Sequence, residues 1–204
     1  MAQDFSPQAG SLRAKLTDRI SKDVVCELCR MMKGNENDEM KATLYSLTHE
    51  QDMRVSVNAL WIFTHLDEAA VWLYGKQNEL VDRVLQETNV TRRRLLLSLL
   101  LSQPFEADSL RTDFLDYCLS KITAHTEPYA VRALCMKLAY EQCRHYPELL
   151  VELQMVLDLL QSEHLSPGLA SARRQVERKM GRGVRDKGVK SRDGHKPQCA
   201  PKTV

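Results

Sequence analysis

Apolar residues along this chain recur at steps of three and four, the spacing of one helix face rather than of a strand. Met40, Leu44 and Leu47 form one such stripe, and Leu80, Val81 and Val84 a second. Leu110, Phe114, Cys118 and Ile122 form a third, and Leu149, Leu153, Val156 and Leu160 a fourth. Between these amphipathic stretches lie segments that are apolar on almost every side, such as Val57–Phe63 and Leu95–Leu101. A helix of that kind needs packing partners all round. The pattern therefore predicts helix pairs, each with an amphipathic first helix and a second helix enclosed by its neighbours. Ser11–Met32 reads as an additional helical segment broken near Ser21, and the polar run Lys33–Asp38 as a connection.

The pairs return at a fixed period. Leu47, Val84, Ile122 and Leu160 are separated by 37, 38 and 38 residues. The triplets Val57-Asn58-Ala59, Arg93-Arg94-Leu95, Val131-Arg132-Ala133 and Ala170-Ser171-Ala172 keep step, their last residues being 36, 38 and 39 apart. Two columns sharing one period mean stacked supersecondary units that bury their faces on one another. Asp52, Asn89, Thr126 and Ser166 stand ahead of the second helices as side chains able to accept from first-turn amides. Pro128 and Pro167 fall in first turns, where a missing N–H costs little. A closed four-helix bundle would keep a wider polar face on every helix. The expected fold is all-α: a solenoid of about four helix pairs plus an N-terminal helical segment. It should occupy residues 11–180, with a flexible stretch at 1–10 and a disordered basic tail at 181–204.

Composition sharpens this picture. The net charge of +2 hides an imbalance: from Arg173 onward there are eleven Lys/Arg against three Asp/Glu, leaving 18 basic against 24 acidic residues before it. Few apolar residues remain after Met180 to offset the entropy of ordering that stretch. Gly10, Gly34, Gly75 and Gly168 are the only glycines before residue 180, too dispersed for a phosphate-cradling loop. Met-Ala-Gln-Asp-Phe-Ser-Pro lacks the regions of a secretory signal, and Leu95–Leu101 falls far short of the ~20 residues that span a bilayer. The chain is read as cytoplasmic, its six cysteines as reduced, and Cys26, Cys29, Cys118 and Cys135 as small core residues.

The third unit, with Thr126, Pro128, Val131 and Arg132, resembles the second helix of a HEAT repeat. That family carries an Asp between its helices and an Arg about six residues later. Here Asp52 pairs with Asn58, Thr88 with Arg94 and Thr126 with Arg132, so each unit keeps part of the motif. The resemblance covers roughly residues 36–180 and implies a right-handed α–α superhelix whose second helices line a concave surface. Asn89–Leu101 is also distantly similar to a helix of the HEAT-like DNA alkylation-repair proteins, in which a Trp-x-Arg-Arg stretch precedes an apolar run. Thr91 stands near the aromatic's place, so the catalytic pattern of that group is missing.

Candidate chemistry concentrates in arginine. Arg94, Ser98 and Ser102 form one polar line on a greasy helix, and Arg132 is matched to Arg94 in the next unit. Arg92, Arg93, Arg173 and Arg174 add charge near the same helix starts. These six define a candidate partner-binding stripe for a carboxylate-rich peptide, since guanidinium forks match carboxylates and phosphates alike. The competing reading is an internal ladder, in which Arg94 and Arg132 bond across to the neighbouring pair because buried arginines must find acceptors. Cys26-Glu-Leu-Cys29 has zinc-knuckle spacing but no second pair in the body, and His49, His65, His125, His145 and His164 fall near helix ends, where they can cap carbonyls. Trp61, Phe63, Trp72 and Tyr74 are either core filling or an aromatic pocket. No nucleophile elbow or His-Glu-x-x-His occurs. The sequence thus points to a non-enzymatic interaction module without metal or cofactor. It would bind an acidic protein or peptide segment and no membrane. The alternative is a nucleic-acid binder using the arginine stripe and the basic tail.

Overall fold

The computed structural model describes residues 7–189. Eleven α-helices and no strand occur among them. An N-terminal pair, α1 (Pro7–Leu16) and α2 (Lys22–Met31), is followed by α3 (Asp38–Leu47) and α4 (Met53–Phe63). A short helix, α5 (Ala69–Leu73), leads into α6 (Gln77–Gln86) and α7 (Val90–Leu101). Two more pairs complete the stack: α8 (Thr112–Thr123) with α9 (Tyr129–Cys143), and α10 (Pro147–Leu159) with α11 (Pro167–Val189).

Second helices form one layer, with α4 packed on α7, α7 on α9 and α9 on α11. First helices form the other, with α6 on α8 and α8 on α10, while α1 meets α3 and α4. This two-layer stack is the all-α solenoid that the two apolar columns predict. All four members of the Leu47, Val84, Ile122 and Leu160 column are fully buried. The second helices are covered as their composition demands: α7 buries Leu95, Leu96, Leu97, Leu99 and Leu100, and α9 buries Val131, Cys135, Met136, Leu138, Ala139 and Cys143. Each of these leucines, with Val131 and Met136, contributes roughly 1.5–3 kcal/mol through loss of apolar surface to water.

Helix starts follow the cap residues in three of four pairs. Asp52 Oδ1 accepts from the amides of Arg54 and Val55 at 2.9 and 3.2 Å. Asn89 Oδ1 accepts from Thr91 and Arg92, both at 3.0 Å. Ser166 Oγ accepts from Leu169 N at 3.4 Å, and Ser21 caps α2 through Val24 N. The third pair departs from expectation, because Pro128 rather than Thr126 holds the cap position of α9 and makes no side-chain cap bond. With Thr126 as the cap, Pro128 would fall two residues on and offer no amide, which removes one of the two donors a cap side chain uses.

Both ends are more helical than their composition suggests. α1 begins at Pro7, inside the expected flexible stretch of 1–10, since proline is well tolerated in a first turn. α11 runs on to Val189, inside the expected tail of 181–204. Extending an existing helix requires no new nucleus, so polar residues that would not fold alone can continue one. Residues 1–6 and 190–204 lie outside the described residues.

Gly34, at the turn between α2 and α3, takes φ +90°, a left-handed value open to glycine at little cost. Its carbonyl accepts from the ammonium of Lys41 at 2.7 Å, a lysine buried in α3 and also bonded to Asp38 at 2.9 Å. Phe63 and Trp72 act as filling, stacked with ring centroids 5.7 Å apart while Tyr45 meets both edge-on, whereas Trp61 is half-buried and Tyr74 exposed. Cys118, Cys135 and Cys143 are buried free thiols, whereas Cys26, expected in the core, is exposed. It lies on the outward side of α2, three residues from the half-buried Cys29.

Candidate interaction surface

Each of the four links between a first and a second helix contributes one glutamate: Glu50, Glu87, Glu127 and Glu163. All are largely covered, and each meets an arginine. Arg13 reaches Glu50 with its Nε 2.8 Å from Oε1. Arg92 Nε lies 2.9 Å from Glu87 Oε2 on the same turn of chain. Arg93 Nη2 donates to Glu127 Oε2 at 2.6 Å, where Lys121 adds a second cation at 2.9 Å. Arg132 Nη2 donates to Glu163 Oε2 at 2.8 Å, and its Nε donates to the Ile122 carbonyl at 2.8 Å. Three of these bonds tie one helix pair to the next. The Arg132 side chain is only 2% exposed, and Arg93 and Glu127 only 11% and 9%. Asn58 does related work, giving both amide protons to the carbonyls of Leu16 and Asp18 at 2.9 Å.

The six arginines singled out in the sequence therefore separate. Arg93 and Arg132 are interior struts, and Arg92 is held by Glu87. Arg173 is half-buried and bonded to Glu177 at 2.8 Å along its own helix. Only Arg94 and Arg174 are exposed. The match of Arg94 with Arg132 is a register slip: counted from the caps Asn89 and Pro128, the residue equivalent to Arg132 is Arg93. One residue on a helix is a rotation of about 100°, enough to carry a side chain from the interior to the solvent face.

Arg94 and Arg174 share that solvent face with residues that sequence reasoning missed. The exposed side of α4 carries Arg54 and the half-buried Trp61, that of α9 carries the half-buried Lys137, and that of α11 carries Arg178. Successive second helices thus present a cation each. Among the described residues, Arg54, Arg94, Lys137 and Arg174 have no carboxylate bound to their side chains. Two open depressions, of about 520 and 510 Å³, accompany the row. One is lined by Arg19, Ile20, Ser21, Lys22, Asn58 and Trp61, the other by Arg174, Glu177 and Arg178. Counted from the caps Asp52, Asn89, Pro128 and Ser166 these four cations stand two, five, nine and eight residues on, so no fixed spacing in the sequence marks the row.

The expected histidine caps are present in part: His49 Nδ1 lies 3.0 Å from the Tyr45 carbonyl and His65 Nδ1 3.1 Å from that of Trp61, at the ends of α3 and α4. The Cys29 thiol contacts the Ile62 carbonyl at 3.7 Å, and burial pushes it up to about 11, which keeps it protonated at neutral pH. No group of three or more His, Cys, Asp or Glu among the described residues is placed to hold a metal ion. No helix among them is long and apolar enough to cross a membrane.

The stack of helix pairs, bridged at its links and carrying a polar outer face, defines an α-solenoid repeat protein. A family model for the HEAT repeat domain matches residues 12–180, and the chain belongs to that family. A comparison with curated proteins gives no match.

Proposed function

We propose that this protein is a non-catalytic scaffold that takes an acidic, extended segment of a partner protein along the outer face of its second-helix layer. HEAT repeat domains are generally scaffolds for protein interactions. The observation that carries the finer reading is the row Arg54, Arg94, Lys137 and Arg174, one cation per second helix, set beside interior arginines that are all matched to glutamates. Of the stripe expected from sequence, Arg94 and Arg174 remain in the binding role. Arg92, Arg93, Arg132 and Arg173 serve the scaffold. Charge spaced over four helices suits a ligand that runs across the layer, and Trp61 offers an apolar anchor near one end.

The same cations would accept a phosphate backbone, so nucleic acid is the second reading. Titration with a fluorescent Asp/Glu-rich peptide, its Lys-rich counterpart, and single-stranded and duplex DNA separates the two. At about 50 mM salt the acidic peptide should bind, the Lys-rich one should not, and Lys137→Glu should weaken the complex several-fold. DNA binding tighter than peptide binding, with a steep salt slope, would transfer the surface to the nucleic-acid reading. Absence of binding by every probe would remove the role of the row altogether.

A further inference from the structure

α10 carries a feature that neither the repeat frame nor the basic row accounts for. Val151, Met155 and Leu159, at i, i+4 and i+8, lie on one face and are 62%, 60% and 66% exposed. The inner face of the same helix is normal, with Leu153, Leu157 and the adjoining Leu160 fully buried.

The buried column fixes which residues are equivalent in the other first helices. One, five and nine positions before Leu160 stand Leu159, Met155 and Val151. The same steps back from Ile122 give Lys121, Tyr117 and Asp113; from Val84 they give Arg83, Glu79 and Gly75; from Leu47, Ser46, Ala42 and Asp38. In those repeats this face is used mostly for polar links, with Ala42 and the core-packed Tyr117 as exceptions. Glu79 accepts from the Tyr45 hydroxyl at 2.9 Å and lies 3.1 Å from His49 Nε2, while Arg83 donates to the Thr48 carbonyl at 2.9 Å. Asp113 is bonded by Arg111, which also reaches Asp82 of α6 at 2.8 Å, and Lys121 meets Glu127. Stacking therefore does not require apolar residues here. α10 alone replaces the links with three large apolar side chains and leaves them in water, where they form no part of the core.

The charge around them says what would cover them. α10 contains Glu148, Glu152 and Asp158 and no Lys, Arg or His. On the helix wheel Glu148 and Glu152 border one side of the Val151–Met155 ridge. On the other side, between α10 and α11, lies a cavity of about 500 Å³ lined by Leu150, Val151, Gln154 and Met180, with Arg144 and Lys179 in its wall, both already paired with Glu141. A second copy seated face to face would set Glu148 and Glu152 against like charges. The chain's own residues 190–204 are basic, but offer only Cys199, Ala200 and Val204 besides their prolines, and the pair Ala200 and Val204 at i, i+4 is too small to cover three large side chains.

We infer that α10 is a second docking surface, distinct from the basic row, for an amphipathic helix of a partner protein whose apolar side covers Val151, Met155 and Leu159 and whose Lys or Arg residues meet Glu148 and Glu152. Apolar anchors at i, i+4 spacing beside an acidic edge fit a helix-in-groove contact.

The test uses the full chain and labelled helical peptides about 18 residues long, a length at which a helix can hold in water. One carries a Leu stripe and flanking Lys, and a second has Glu in place of each Lys. A third keeps the Lys residues and loses the Leu stripe. The first should bind by fluorescence anisotropy, the others at least about tenfold more weakly. Val151→Ser with Met155→Ser should reduce its affinity at least about tenfold without changing the unfolding midpoint. Glu148→Lys with Glu152→Lys should transfer the preference to the Glu peptide. Three outcomes would overturn the inference. Equal binding of the Lys and Glu peptides is one. Self-association that disappears in the Val151/Met155 variant is another, since it would make a second copy the occupant. The third is tighter peptide binding when Lys190, Arg192, Lys196 and Lys202 are all changed to Gln, which would make the chain's own tail the occupant.

Discussion

The α8–α9 pair and the α10–α11 pair have the same plan and opposite surroundings. Arg132 of α9 has a following repeat, and finds Glu163 and the Ile122 carbonyl in the interior. Arg173 and Arg174 of α11 have no such successor among the described residues; one bonds to its own helix and the other faces solvent. On the first helices, Asp113 and Lys121 of α8 are tied into ion pairs, and the guanidinium of Arg111 holds the Asp113 carboxyl below the usual carboxylate range. Their counterparts Val151 and Leu159 on α10 are bare. A repeat position thus acquires its role from the neighbour it meets. Where the neighbour is present, charge becomes structure; where it is absent, the same positions stay exposed or bond within their own helix.

The largest test of that contrast is stability. Arg132→Ala leaves Glu163 and a buried carbonyl unmatched and should destabilise the fold by about 3–5 kcal/mol in urea unfolding. Arg174→Ala should change it by less than about 0.5 kcal/mol. Similar losses for both would erase the distinction between interior and terminal arginines. Leucines on the inner faces should behave alike in the two pairs: Leu115→Ala in α8 and Leu153→Ala in α10 should each cost about 2–5 kcal/mol. Met155→Ala, on the same helix as Leu153, should fall within about 0.5 kcal/mol of wild type. A core-like cost at Met155 would show that the α10 ridge is packed rather than open.

Smaller effects sharpen the picture at the caps and thiols. Asn89→Ala should cost about 1 kcal/mol and Thr126→Ala less than about 0.5, because only the first side chain caps a helix. Burial raises the Cys29 thiol to about 11 and that of Cys143 to about 12 from an ordinary value near 9. The unfolded chain then releases these protons at lower pH than the folded one, so their contribution is complete below about pH 9 and is lost as pH rises through about 11 and 12. The urea midpoint should fall between pH 8 and pH 10, and fall less in a Cys29→Ala, Cys143→Ala variant. Identical pH dependence in the two proteins would remove the thiols as its cause.

The architecture was legible because periodicity is carried by many residues at once: one misread position in the Leu47, Val84, Ile122 and Leu160 column would not have hidden the period. Caps at Asp52, Asn89 and Ser166 were legible for a local reason, since each bonds within three residues of itself. The interaction surface was not. Whether an arginine lies inside or outside depends on a rotation of one residue, and the triplet register put Arg94 where the cap register puts Arg93. The partner glutamates of Arg13, Arg93 and Arg132 lie more than thirty residues away, beyond the reach of any local pattern. α5 escaped notice because five residues are too few to display a helical period.

The central claim is that outer cations are free for a partner while inner ones hold the stack, and one sample can test it. Arg54, Arg94, Lys137 and Arg174 would all be changed to Glu in the full chain, and both the affinity for the Asp/Glu-rich peptide and the urea midpoint measured. An affinity loss of about 100-fold or more is expected, several charge contacts acting together, with a midpoint that does not fall. Undiminished affinity accompanied by a lowered midpoint would contradict that claim, because the row would then be part of the scaffold and not a surface.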